Sequence, residues 1–285
     1  MPNGDPSATV KTVSTIEAPL GTLLRDWRQR RRMSQLDLAL EAGVSARHLS
    51  FLETGRSKPS REMVLHLSDQ LDVPLRDRNQ LLLAAGFSPA FAEHSLDAPQ
   101  MSPVREALDR ILKGHEPYPA VVVDRWWDLA AANAGIGMFT AEVAPHLMEP
   151  PVNALRVTLH PDGMAPRIRN LPEWRAHLLD RLRRQVTVTS DDRLAALYAE
   201  LSDYPGGEAP LPAHEPGIAV PLRFDDLSFI STISTFGTAV DITLAELAIE
   251  AFFPADEATS DYLLNATSPS ISSRAGAASA SNRTA

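Results

Sequence analysis

The chain of 285 residues has no cysteine, which excludes a disulfide framework, thiolate chemistry and cysteine-ligated metal. It has no run of apolar residues approaching the ~18 that a membrane-spanning helix needs. The opening stretch MPNGDPSATVKTVST lacks the apolar stretch of a secretion signal, so a cytoplasmic protein of a bacterial nucleoid, with no membrane partner, is expected. Lysine is scarce, three residues against twenty-four arginines, a bias that suits a GC-rich bacterial genome. Positive charge as a whole is in deficit: the formal net charge is −9, which argues against indiscriminate binding of polyanions. Within residues 20–62, however, nine basic residues face five acidic ones, a local +4 that leaves −13 for the remainder. The positive charge is placed, not general.

Catalytic signatures are missing as well. There is no HExxH helix, no GxSxG elbow and no phosphate-cradling glycine loop. Histidines 94, 115, 146, 160, 177 and 214 include no i, i+4 pair, so neither a metal, a cofactor nor an enzyme is expected. Asp191–Asp192 reads as a helix cap and Asp225–Asp226 as a hairpin turn.

What is present is concentrated in SQLDLALEAGVSARHLSFLETG, beginning at Ser34. Ser34 caps a helix, with Asp37 completing a capping box. Leu38 and the small Ala39 face inward, Gly43 supplies a left-handed turn, and Ser45 caps a second helix. That helix turns Leu49 and Leu52 inward and Ala46, Arg47, His48 and Ser50 outward. Upstream, Leu20, Leu23, Leu24 and Trp27 at i, i+3, i+4 and i+7 predict a helix over 20–32. Downstream, Ser60 caps a helix carrying Met63, Val64, Leu67 and Leu71, and residues 76–85 form a fifth, stopped by Gly86.

Gln35, Leu38, Ala39, Gly43, Val44, Ser45, Leu49, Ser50, Glu53 and Gly55 together resemble the helix-turn-helix of the Cro/C1-type (XRE) regulators. The resemblance implies an Arg28–Glu53 structural pair and a phosphate grip by Gln35. Chemistry divides the other roles. Arg47 is the candidate for direct readout, since a guanidinium forks onto guanine N7 and O6, while Ala46 and Ser50 can meet a thymine methyl or base edge. Ser45, His48, Arg56, Ser57 and Lys58 are phosphate candidates. A module this small is expected to act as a homodimer on an inverted-repeat, double-stranded operator.

The length demands a second domain. Residues 1–18 read as a disordered arm, 19–86 as the helix-turn-helix domain, 87–101 as a linker, 102–264 as the second domain, and 265–285 as a disordered tail. In the second domain, 118–133 reads as a strand pair feeding a helix. Helices follow over 152–160, 171–189 and 191–204, then a loop over 204–217 and strands near 218–225, 227–237 and 247–256. The segments VVVDRWWDLAAAN, NALR, NLPEWR, DDRLAALYAEL and FFPADEAT resemble the MmyB-like ligand-binding domain. The expected fold is therefore multidomain: an all-α, five-helix, lambda-repressor-like helix-turn-helix domain, then an α+β, PAS-like sensor domain, an antiparallel sheet with inserted helices. The resemblance implies a fatty-acid-like ligand and a regulator whose operator binding that ligand modulates. Trp126, Trp127, Met138, Phe139, Leu155, Trp174, Phe229 and Phe236 are candidates to line an apolar pocket. Arg125, Arg156, His160, Arg167 and Arg169 are candidates to hold a carboxylate head. Two alternatives stay open: a second half that serves only dimerisation or protein docking, and an unrecognised enzyme domain.

Overall fold

The computed structural model describes residues 18–209, 220–237 and 239–267, and these form two compact units. The expected N-terminal arm, most of the expected tail and part of the 204–217 loop lie outside the described residues.

The first unit holds α1 (Leu20–Arg30), α2 (Gln35–Glu41), α3 (Ala46–Glu53), α4 (Arg61–Gln70) and α5 (Leu75–Ala84) around one apolar core. Local chemistry sets the boundaries. The Ser34 hydroxyl accepts from Asp37 N–H at 3.1 Å and the Asp37 carboxylate accepts from Ser34 N–H at 2.8 Å, a complete capping box. Ser45 caps α3 by accepting from His48 N–H at 3.1 Å, and Gly43 turns the chain between α2 and α3 at φ +62°. Helix α1 stops short of the expected residue 32 because Arg32 is left-handed (φ 56°) and the Met33 N–H returns to the Arg28 carbonyl. Arg31 donates to the Leu71 and Asp72 carbonyls at 2.7 and 2.6 Å and closes the end of α4.

The tightest crossing is at Gly21, where a Cβ would run into the Glu53 carbonyl oxygen and stand 2.8 Å from that of Leu52. Backbone cannot yield there as a flexible side chain would. Gly21→Ala is therefore expected to destabilise this unit by about 1–3 kcal/mol, although alanine is the better helix former. Hydrogen-exchange protection of α1 and α3 amides checks it; unchanged protection would contradict the close crossing.

The second unit is built on a five-stranded, wholly antiparallel sheet, β1 (Ala120–Val123), β2 (Leu129–Ala132), β3 (Leu222–Phe224), β4 (Leu227–Thr235) and β5 (Ala248–Pro254), in the order β2-β1-β5-β4-β3. β1 is covered on both faces, hence its unbroken apolar sequence AVVV. Helix α6 (Ser102–His115) lies by one face; α7 (Gly137–Thr140), α8 (Ala154–Leu159), α9 (Leu171–Thr189) and α10 (Asp192–Asp203) contribute to the main core on the other. Asp191 caps α10 by accepting from Arg193 and Leu194 N–H, and Asp225–Asp226 turns β3 into β4. The Asn133 side-chain amide accepts from Ala120 N–H and donates to the Tyr118 carbonyl, fixing the start of β1.

The expected linker and tail both differ. Asn79 on α5 binds the Ala90 and Phe91 N–H groups and the Phe91 carbonyl, so this stretch belongs to the first unit, which extends to Ser95. Between β4 and β5 the chain joins that same unit: Ile242 N–H reaches the Ala92 carbonyl at 2.9 Å, Asp241 pairs with His94 at 2.7 Å, and α11 (Ile242–Ala245) packs on α5. A final helix, α12 (Glu257–Thr267), runs into the expected tail and packs on β4 and β5.

Candidate functional site

The outward face of α3 is assembled by what braces α3 from behind. Arg28 forks onto Glu53, Nε to Oε1 at 2.6 Å and Nη2 to Oε2 at 2.8 Å, and its third nitrogen donates to the Met33 carbonyl. Both residues are buried. Burial pushes the Glu53 carboxyl up, but hydrogen bonds from Arg28 and Gln35 and the Arg28 charge hold it below the ordinary range; the Glu53 hydrogen bond raises Arg28 in turn. Gln35 donates to Glu53 Oε2 at 2.7 Å, so its amide is engaged in this brace when no DNA is present.

From this support Arg47 projects, exposed, with its guanidinium 5.4 Å from the centre of the Phe51 ring. Ala46, His48 and Ser50 are half-buried around it, and Ser45 is exposed at the helix start. After α3, Gly55 (φ +71°) turns the chain and the Arg56 and Ser57 N–H groups fold back to the Phe51 carbonyl. Arg56 and Lys58 are exposed beside it. One face thus carries an exposed guanidinium flanked by cations and capping hydroxyls, an arrangement suited to a DNA groove and its phosphates.

The second unit holds a cavity of about 220 Å³ between sheet and helices. Strand register explains its wall: Ala132, Val121 and Glu250 are directly paired across β2, β1 and β5, and Phe252 follows Glu250 on the same face. Helices add Leu155 and Val157 from α8 and Trp174 and Leu178 from α9, with Phe139 and Met148 completing the lining. Phe139 sits edge-on to Phe224, Phe229 and Phe252 at 4.9–5.2 Å.

Two polar atoms in this apolar wall have no hydrogen bond among the described residues, Trp174 Nε1 and Glu250 Oε1. Arg181 stands 3.6 Å from Glu250 Oε1 and lies over the Trp127 ring. Burial pushes the Glu250 carboxyl up against the pull of Arg181, and burial lowers Arg181.

Of the residues the sequence proposed for a pocket, Phe139, Leu155 and Trp174 line this cavity and the others do not. Trp126 and Trp127 sit in the turn after β1, where their indole N–H groups donate to Asp191 and Gln185. Met138 and Phe229 pack in the surrounding core, and Phe236 lines a separate depression with Ile111 and Phe253. The expected head-group cations are all engaged elsewhere. Arg125 bridges Asp191 and Glu246, Arg156 forks onto Glu200, Arg167 onto Asp225, and Arg169 reaches Asp226 at 3.4 Å. His160 lies beside Asp162 and Tyr204, not in the cavity wall. Glu250 was missed; its signal was a lone acid in the apolar strand AIEAFFP, in phase with Phe252.

Comparison with known proteins agrees with both halves. The family profile described as the MmyB-like transcription regulator ligand binding domain matches residues 104–264, and a helix-turn-helix profile matches residues 24–77. No curated protein matches the chain. Among solved structures, the clp gene regulator ClgR from Corynebacterium glutamicum is similar at 27% identity over 34% of this chain and 90% of that one, with a TM-score of 0.21.

Proposed function

Since the chain belongs to the MmyB-like transcription regulators and carries a helix-turn-helix ahead of a ligand-binding domain, we propose that it is a homodimer whose α3 faces read an inverted-repeat operator and whose cavity holds a small, apolar, fatty-acid-like molecule with one polar end. The observation that carries this reading is the apolar cavity walled by an indole N–H with no hydrogen bond among the described residues and a buried carboxylate whose Oε1 has only Arg181 at 3.6 Å. Apolar walls alone leave Trp174 Nε1 without a partner and Glu250 Oε1 with Arg181 only, whereas a ligand's hydroxyl or carboxyl end can accept from the indole or donate to the carboxylate. The volume lies below the ~300–1,000 Å³ of typical ligand pockets, which suits a short chain. We read the domain as a PAS-like sensor on the same ground, a sheet and helices enclosing one cavity. Gln35, Ser45, His48, Arg56, Ser57 and Lys58 take phosphates in this reading, Gln35 from its bracing position on Glu53.

Ligand shifts operator affinity only by its differential affinity for the competent and incompetent states, typically by about 5–150-fold. The test is selection of bound duplexes from a random pool by the full chain, then affinity for the selected operator with and without a short-chain fatty acid and the matching alcohol. Native mass spectrometry of the same samples reports the adduct. Val121→Phe, whose ring fills the cavity, is expected to abolish the adduct and the affinity shift while leaving the selected sequence unchanged. Absence of any adduct or shift in the parent would favour a second half that serves only dimerisation or protein docking.

A further inference from the structure

Outside the cavity, the fold brings His146 against two near neighbours in sequence, His160 and Asp162. His146 lies in the 3-10 turn Pro145–Met148, His160 ends α8, and Asp162 follows in the next turn. One ligand atom from each falls within 4.8 Å of the others. The loops that carry them are locked to each other. Ala144 N–H donates to the Asp162 carbonyl at 2.9 Å, Leu147 N–H closes the 3-10 turn, and Gly163 N–H returns to the His160 carbonyl at 2.9 Å. Gly163 is packed so closely on the Val157 carbonyl that no side chain fits there. The His160 ring is held edge-on between His146 at 5.5 Å and Tyr204 at 5.0 Å, and the Tyr204 hydroxyl is fixed by Glu200 at 2.6 Å.

We propose that His146, His160 and Asp162 form a binding site for a divalent transition metal of the zinc class, with at least one coordination position left open. Two imidazoles and one carboxylate are the donor set such ions prefer. Metal–ligand bonds of about 2.0–2.2 Å in tetrahedral geometry place donor atoms about 3.4 Å apart. His160 Nδ1 and Asp162 Oδ2 stand at 3.9 Å; Nδ1 accepts from the Asp162 N–H at 3.0 Å and must give up that hydrogen bond to take the ion there, leaving Nε2 as the ring's other donor, while His146 and Asp162 are exposed. Met148 and Val157, on the two segments that carry the histidines, line the cavity, so the bound ion would pin two parts of its wall together. The site itself does not depend on what the cavity holds.

The test uses the full chain, stripped with chelator and dialysed against Zn²⁺, with bound metal measured per chain and Co²⁺ absorption recorded in parallel. One equivalent of Zn²⁺, and Co²⁺ visible bands more intense than those of the hydrated ion, are expected. His146→Ala and Asp162→Asn, both at exposed positions, should each weaken Zn²⁺ binding by at least about tenfold, while His94→Ala, at the pair with Asp241, should not. No stoichiometric Zn²⁺ in the parent, or parental affinity in both variants, would overturn the site. The parent's Co²⁺ spectrum decides independently of any variant: bands identical to hydrated Co²⁺ would overturn it as well.

Discussion

Glu53→Ala should lower the stability of the N-terminal unit by about 3–5 kcal/mol, because it strands the Arg28 guanidinium in a buried site. The figure belongs to breaking the pair; the intact pair contributes much less net stability, since both charges lose water on burial. Its service is geometric: Arg28 ties α1 to the last turn of α3, and Gln35 ties α2 to the same carboxylate. Hydrogen exchange of α1–α4 amides reads the loss without interference from the second unit. The pair also sets an acid limit. Because the Glu53 carboxyl is held below its ordinary range, its contribution is full above the unfolded value of about 4.5 and fades as pH falls through the lower folded value. Glu53→Gln should therefore differ from the parent near neutrality and converge with it in acid. A constant difference across that range would show that charge is not what holds α3.

Arg47→Ala should cost on the order of 1–3 kcal/mol of specific binding, a loss of roughly 5- to 150-fold, and relax the base preference beneath it. The guanidinium rests against Phe51 in the free protein, so reaching a base edge gives up an exposed cation–π contact of about 0.5–1 kcal/mol. Lys58→Ala provides the contrast. A phosphate contact weakens all sequences evenly and flattens the salt dependence by about one counterion. Parallel binding profiles across a set of operator variants separate the two. An unchanged profile for Arg47→Ala would remove it from direct readout.

The helix-turn-helix was legible because its determinants are local. Ser34, Asp37, Gly43 and Ser45 act within three or four residues of themselves, and caps of that kind are spelled out by spacing. The antiparallel α+β character of the second unit was legible for the same reason, from β-branched runs and turn acids. Gly21 was not, since nothing near it announces that the Glu53 backbone will lie against it. The head-group arginines failed in a related way. Arginine charge is visible in sequence, but the carboxylates that neutralise Arg125 and Arg156 lie 44 to 121 positions away. Only folding shows which cations are already engaged, and it leaves the cavity to an indole and a buried acid. The paired histidines 146 and 160 escaped a search for i, i+4 spacing because a 3-10 turn and a helix end bring them together.

The excursion of residues 239–245 between β4 and β5 bears on how this protein can be taken apart or recombined. A fragment ending at Ser95 would keep all five leading helices yet discard Asp241 and Thr243, which bind the His94 side chain and carbonyl. A gene fusion with a single breakpoint after the reading head would strip that head of part of its own packing. Swapping sensors between relatives therefore takes a graft that carries this short strap along.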